Sequence, residues 1–302
     1  MRGRNTVPCS ILSAKSIQQR RASMNSAFFL RQSILTLAIA FAAAAVCAQP
    51  AKKDFEPQVG QEGKDVIWVP TPQGLIDKML DMAKVTAADY VIDLGSGDGR
   101  TVIAAAKRGA RAMGIEYNPD MVDLSNRNAE KAGVTDKAKF IKADIFETDF
   151  SQATVVTMYL LPNLNLKLRP KLLAMKPGTR VVSHAFTMDD WQPDQTENFD
   201  GRNAYMWIVP AKVEGIWQLA QGGGELTLAQ NFQVVIGTLK TGGNTIMISN
   251  EKMQDDQFSF SAGGSDYVGR LNGNALEGTV KGSSSGAWSA TRTAAAKPAA
   301  TK

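Results

Sequence analysis

Between Asp65 and about Pro210, short apolar runs alternate with amphipathic ones in a strand–helix repeat. Tyr90-Val91-Ile92-Asp93-Leu94 is rich in β-branched side chains and reads as a buried strand, with a helix expected over 101–108. A second strand over 112–117 leads through Asn118-Pro119 into a helix reaching about Ala132; Pro119 suits its first turn and Gly133 its end. Strands follow over 139–142, 153–160 and 180–185, with a helix over 163–175 before the last of them. Continuous apolar strands alternating with helices predict an α/β fold, a mostly parallel sheet covered on both faces.

Past Lys212 the pattern changes. Gly222-Gly223-Gly224, Thr241-Gly242-Gly243-Asn244, Gly263-Gly264 and Asn272-Gly273-Asn274 separate short runs of strand alternation such as 232–236 and 258–260. No helical period appears, so a small antiparallel meander or barrel of about 80 residues is expected, its core filled by Trp217 and Trp288. The organisation read from the chain is a leader over 1–48, a linker over 49–64, the α/β domain over 65–212, the all-β domain over 213–292 and a tail over 293–302.

Composition excludes wholesale disorder, since 44% of the 302 residues are hydrophobic and 21% charged. The sequence pI near 9.1 suggests a polyanionic partner until the charges are located. Residues 1–48 hold six basic residues and no acid, so without them the formal charge of +5 becomes −1. No nucleic-acid partner is therefore expected. Ile34 to Ala48 is an apolar run too short to span a membrane; Arg31 precedes it, and Val46-Cys47-Ala48 ahead of Gln49 supplies the small residue signal peptidase needs. This reads as a bacterial secretory signal and a periplasmic or secreted product, with Met24 as an alternative start. A mitochondrial transit peptide and an uncleaved anchor are the competing readings. Both cysteines, Cys9 and Cys47, fall in this leader, so a chain starting at Gln49 has no disulfide, cysteine-bound zinc or cysteine nucleophile. The single histidine, His184, argues against a histidine-rich metal site, and no metal is expected.

The candidate chemistry lies in Asp93-Leu94-Gly95-Ser96-Gly97-Asp98-Gly99-Arg100, directly after a strand and before a helix. Gly95, Gly97 and Gly99 allow a sharp turn and close approach to a ligand at the helix N-terminus. A dinucleotide fingerprint would place glycine where Arg100 stands. Asp93, at the strand end, suits an ammonium- and sulfonium-bearing ligand and would repel a pyrophosphate, which favours S-adenosylmethionine over a dinucleotide. Glu116 ends the second strand, where an acid can take both ribose hydroxyls, and Asp144 ends the third, where a carboxylate can accept from the adenine amine with Ile145 or Phe146 against the ring.

Asp93–Arg100, Gly114-Ile115-Glu116-Tyr117-Asn118-Pro119 and Asp144-Ile145-Phe146 resemble the successive motifs of class I S-adenosylmethionine-dependent methyltransferases. With Val69-Pro70-Thr71-Pro72 added, the chain is similar over about 65–210 to a narrower group. These are the protein-lysine methyltransferases of the ATP synthase c-subunit and adenine nucleotide translocase type, with their bacterial relatives. The resemblance implies a Rossmann-like seven-stranded sheet with helices on both faces, ending in an antiparallel hairpin, and S-adenosylmethionine as cofactor. Stretch 204–209 is expected in that hairpin; 213–219 is either its other strand or the first of the β domain. The implied cofactor residues are Thr71, Asp93, Gly95, Gly97, Gly99, Glu116, Tyr117, Asn118, Asp144, Ile145 and Phe146.

Facing the methyl group, Met158-Tyr159-Leu160-Leu161-Pro162-Asn163 offers Tyr159 and Asn163 to orient an amine, with Leu160 to Pro162 excluding water. His184 is either a base or a strand-end histidine satisfied by backbone, and Trp191 is a candidate for the substrate cleft. The expected reaction is in-line methyl transfer to a protein lysine. The competing readings are a small-molecule O- or N-methyltransferase and a secreted binding protein with a non-catalytic cofactor domain. The β domain and the leader are departures from the lysine methyltransferases.

Overall fold

A computed structural model describes residues 55–294 of the protein. The leader, the first residues of the linker and the end of the tail lie outside the described residues. A seven-stranded sheet is built from β1 (Tyr90–Leu94), β2 (Arg111–Glu116), β3 (Ala138–Lys142), β4 (Val155–Met158), β5 (Arg180–His184), β6 (Gln195–Phe199) and β7 (Arg202–Ile208), in the order β3-β2-β1-β4-β5-β7-β6. The first five strands run parallel, while β7 is antiparallel to β5 and β6.

Successive strand residues face opposite sides of the sheet, and here both sides are dry. Val91, Val155 and Val182 join one core with α1 (Gln73–Met82), α2 (Arg100–Lys107) and α3 (Pro119–Lys131). Their neighbours Ile92, Val156 and Val181 join the other with α4 (Pro162–Leu172), through Leu164, Leu168 and Leu172. That two-sided burial is why these strands read as unbroken apolar runs. The chain goes outward from β1 to β2 and β3, then crosses back to β4, which leaves a crevice at the carboxyl ends of β1 and β4.

The antiparallel hairpin is β6–β7. Its second strand covers most of the expected 204–209 stretch, but its partner is Gln195–Phe199. Sequence reading passed over β6 because it lies at the sheet edge, half-buried or exposed along its length, and so carries no apolar run. The 213–219 stretch resolves to the second sheet, as β8 (Gly215–Leu219).

That sheet continues through β9 (Glu225–Asn231), β10 (Val234–Thr241), β11 (Asn244–Met247), β12 (Ser249–Gln254), β13 (Gln257–Ala262), β14 (Ser265–Asn272), β15 (Ala275–Gly282) and β16 (Gly286–Ala294). Consecutive strands pair antiparallel from β8 to β11 and from β12 to β16, and β16 returns to β8. Ile248, between β11 and β12, donates its N–H to the Gly237 carbonyl, so the sheet nearly closes on itself. Trp217, Trp288, Phe258 and Phe260 are buried inside, as the tryptophan expectation required. The tight turns at Gly242-Gly243 and Gly263-Gly264 have positive φ at both residues, which fits two-residue hairpin loops.

Candidate active site

The β1–β4 crevice opens into a cavity of about 310 Å3. The glycine-rich loop forms its floor. Gly95 and Gly97 adopt φ of +77° and +54°, and a Cβ on Gly97 would lie 2.8 Å from the indole Nε1 of Trp68. Ligand room beside this loop therefore depends on its lacking side chains. Ser125 fixes the loop from below, its hydroxyl donating to the Gly97 carbonyl at 2.8 Å.

Of the carboxylates that line the cavity, three come one each from the ends of the first three strands. Asp93 is buried, 6% exposed, and accepts from the Thr157 hydroxyl at 2.6 Å. Burial above all, with Glu116 and Asp98 nearby, pushes its carboxyl up to about 7 against the hydrogen bonds of Thr157 and Thr101. Glu116 accepts from the Gly97 and Asn118 N–H groups, both at 2.9 Å, one on each oxygen. Asp144 accepts from Phe146 N–H at 2.8 Å and from Lys64 Nζ at 2.5 Å, and these bonds, Lys64's foremost, hold its carboxyl below the usual carboxylate range.

A strap covers the opening. Residues 60–68 fold into a hairpin-like turn in which Gly60 N–H donates to the Trp68 carbonyl and Trp68 N–H to the Gln61 carbonyl, both at 2.9 Å. The lining includes Gln61 to Lys64, which sequence reading assigned to a linker, together with Trp68 and Val69. Lys64 reaches Asp144 and stands 4.7 Å from the Tyr117 ring centroid. Arg100 ties the segment after the strap to the loop: Nε and Nη2 bond the Asp98 carboxylate at 2.9 and 2.6 Å, while Nη1 donates to the Thr71 carbonyl at 3.1 Å. Lys64 was missed because its partner is distant in sequence. Arg100 was missed as a tie for the same reason, although its place at the dinucleotide glycine was a visible signal.

At the β4 end the wall is Met158, Tyr159, Leu160, Leu161 and Phe186. The Tyr159 ring lies 3.8 Å from the His184 ring and 6.1 Å from Phe186, centroid to centroid. His184 is satisfied by a side chain rather than by backbone, its Nδ1 lying 3.0 Å from the Thr71 hydroxyl. Burial, helped by Arg202, lowers its pKa to about 4, so it is neutral at neutral pH.

Of the expected site residues, Thr71, Asp93, Gly95, Gly97, Glu116, Tyr117, Asn118, Asp144, Ile145 and Tyr159 all line the cavity. Three do not. Gly99 caps α2 and faces Phe140 and Ser125, Phe146 lies under the ammonium of Lys167 (3.7 Å), and Asn163 is exposed on the first turn of α4. Trp191 is a correction: it is 0% exposed and packs on Trp207, away from the cavity.

A family model of the ANTKMT methyltransferase domain matches residues 93–195. The protein-lysine N-methyltransferase of Saccharolobus islandicus is 44% identical over 151 residues, which cover 48% of this chain and 94% of that protein. The chain belongs to the ANTKMT methyltransferase family. The adenine nucleotide translocase lysine N-methyltransferase of Mus musculus is 40% identical over 105 residues, 34% of this chain and 46% of that one, so the match spans less than half the length of this relative. A crystal structure described as an RNA methyltransferase from Salinibacter ruber in complex with S-adenosyl-L-homocysteine is 50% identical, covering 48% of this chain and 96% of that one at a TM-score of 0.47.

This methyltransferase depends on S-adenosylmethionine, and the cavity suits it. The side-chain-free loop at Gly95 and Gly97 leaves space for a closely held ligand, and the crowded Asp93, Glu116 and Asp98 carboxylates call for a cation. Asp93, Glu116 and Asp144 with Ile145, read from the sequence as the ammonium, ribose and adenine contacts, all line this cavity.

Proposed function

We propose that this methyltransferase acts on the amine of a protein lysine. The supporting observation is the methyl-side wall, where Tyr159 is the polar side chain among Met158, Leu160, Leu161 and Phe186. A lysine must lose its proton before it can attack, and an apolar, water-poor wall favours the neutral amine. S-adenosylmethionine supplies a methyl group on a sulfonium whose departure needs no proton. The chain's own residues therefore have to bind, align and exclude water. Tyr159, packed at a tilt against the His184 ring, offers an oxygen to orient the amine. His184 is neutral and already bonded to Thr71, so it serves to hold Tyr159 and Thr71 rather than as the base.

The likeness to the protein-lysine N-methyltransferase of Saccharolobus islandicus supports a lysine acceptor for this chain. The test is tritiated methyl transfer from S-adenosylmethionine to poly-L-lysine, to cell protein and to deproteinised extract. Label in protein, recovered as methyl-lysine, is expected; label confined to small metabolites would replace the lysine with a small-molecule acceptor.

We further propose that the leader exports the protein, on the strength of its acid-free basic start, its apolar run and the small residue at Ala48. Mass spectrometry of the protein from its native cells tests this, with an N-terminus at Gln49 expected and an intact leader contradicting it.

A further inference from the structure

The loop of residues 185–192, between β5 and β6, carries Phe186 into the cavity wall beside Tyr159. Its backbone is unusual: Ala185 and Asp189 both adopt positive φ, +65° and +59°, and Phe186 N–H bonds the His184 carbonyl two residues back. Conformations of this kind cost of order 1 kcal/mol each and persist only where surrounding contacts impose them. Within the first domain the contacts come from α4 and β7. Asn165 donates to the carbonyls of Phe186 and Thr187 at 3.4 and 3.3 Å, Arg169 Nη1 donates to the Met188 carbonyl at 2.9 Å and pairs with Asp190, and Trp207 Nε1 donates to the Trp191 carbonyl at 2.7 Å.

The remaining contacts come from the β domain. The turn between β9 and β10 places the Phe232 ring on Trp191, centroids 5.9 Å apart and planes 18° apart. The same ring lies 5.4 Å from the Arg169 guanidinium, and Gln233 Nε2 donates to the Gln192 carbonyl at 2.7 Å. Phe232 itself has φ +54°, uncommon for a bulky residue, which aims its side chain out of the hairpin. A second turn touches the first domain where Ala211 N–H bonds the Asp255 carbonyl at 3.2 Å. Phe232 thus packs on Trp191 of the loop and on Arg169, the side chain that bonds the Met188 carbonyl.

We propose that the β domain is a positioning element of the methyl-acceptor wall, acting through Phe232 and Gln233 on the loop that presents Phe186. It rests on the proposed transfer reaction only for what the wall receives. The cofactor's three carboxylates make none of these contacts, so the domain sets acceptor geometry and leaves cofactor affinity alone. In-line transfer is sensitive to such geometry, since a misplacement of about 1 Å can cost about a hundredfold.

The test uses the full-length protein with S-adenosylhomocysteine bound, comparing wild type, Phe232→Ala and Phe232→Tyr. Amide hydrogen exchange over 185–192 is expected to quicken about tenfold or more in Phe232→Ala. It should return near wild type in Phe232→Tyr, whose ring stacks equally. Exchange over 93–101 and the affinity for S-adenosylhomocysteine should both stay within about twofold. With poly-L-lysine as acceptor, kcat should fall about tenfold or more in Phe232→Ala. Unchanged exchange at 185–192, or faster exchange spread evenly over both sheets, would overturn the proposal whatever the transfer rate does. If wild type labels no poly-L-lysine, the lysine reading fails while the exchange comparison still decides the role of Phe232.

Discussion

Asp93 concentrates the conflict between stability and binding. Its carboxyl titrates near 7 in the fold and near 3.8 when free, so between these values the folded chain holds a proton that the unfolded chain has released. Stability of the ligand-free protein therefore declines as pH rises from about 4 to 7, and the full penalty is present above 7. Asp93→Asn removes that penalty: its melting temperature at pH 8 should exceed that of wild type, with the difference gone near pH 4. A lower melting temperature at pH 8 would show that the charge is welcome in the empty fold. Lys64 bonds an oxygen of Asp144, the carboxylate expected from sequence to meet the adenine amine, and both groups are solvent-exposed enough for the pair to be weak. Lys64→Ala should tighten S-adenosylmethionine in a binding titration, by less than about tenfold. Weakened binding would make Lys64 a ligand contact instead of a competitor. These two residues differ in legibility. Asp93 stands in a local motif, whereas Lys64 meets Asp144 across 80 residues and only the folded strap brings them together.

Among the elements, α2 to α4 and the five parallel strands were legible because each carries its own period or apolar run. The β1 strand matches its expected bounds, and the other boundaries move by a few residues at most. What stayed hidden was β6, polar and at an edge, and the 60–68 strap, which is held by backbone hydrogen bonds and carries no apolar side chain over its first six residues. The glycine loop lies between these cases. Its glycines were evident, yet only the structure separates Gly97, facing Trp68 at the cavity, from Gly99, facing Phe140 and Ser125 beneath it. Gly97→Ala combines a φ of +54° with a contact to the Trp68 indole, so it should destabilise the protein by about 1–2 kcal/mol and weaken the cofactor. Chemical denaturation and a cofactor titration measure the two effects; a variant of wild-type stability and affinity would mean the strap yields freely.

For the whole molecule, the two sheets divide the work. The first supplies a crevice at the point where strand order reverses, and acids from three strand ends converge there. The second has a packed interior and touches the first through Phe232 on Trp191 and through the Asp255 carbonyl, which accepts from Ala211 N–H. Sequence separated these regions by the change from helical to alternating patterning, but the Phe232–Trp191 contact was invisible, because a lone aromatic at a hairpin turn gives no sign of its partner. Charge also sorts by region. The basic excess lies in residues 1–48, and the informative charges of the remainder are the carboxylates around the cavity. Since a cation is bound best by ionised Asp93, affinity for S-adenosylmethionine should rise about tenfold from pH 6 to pH 8, with its inflection near 7. A flat profile would remove Asp93 from the ammonium end.

The most direct measurement is calorimetric titration of the protein with S-adenosylmethionine at pH 8, for wild type and Asp93→Ala. One molecule bound per chain by wild type, and none detectable in a folded Asp93→Ala, is the result expected of the carboxylate-ringed cavity. No binding by wild type, or equal affinity in the variant, would contradict it.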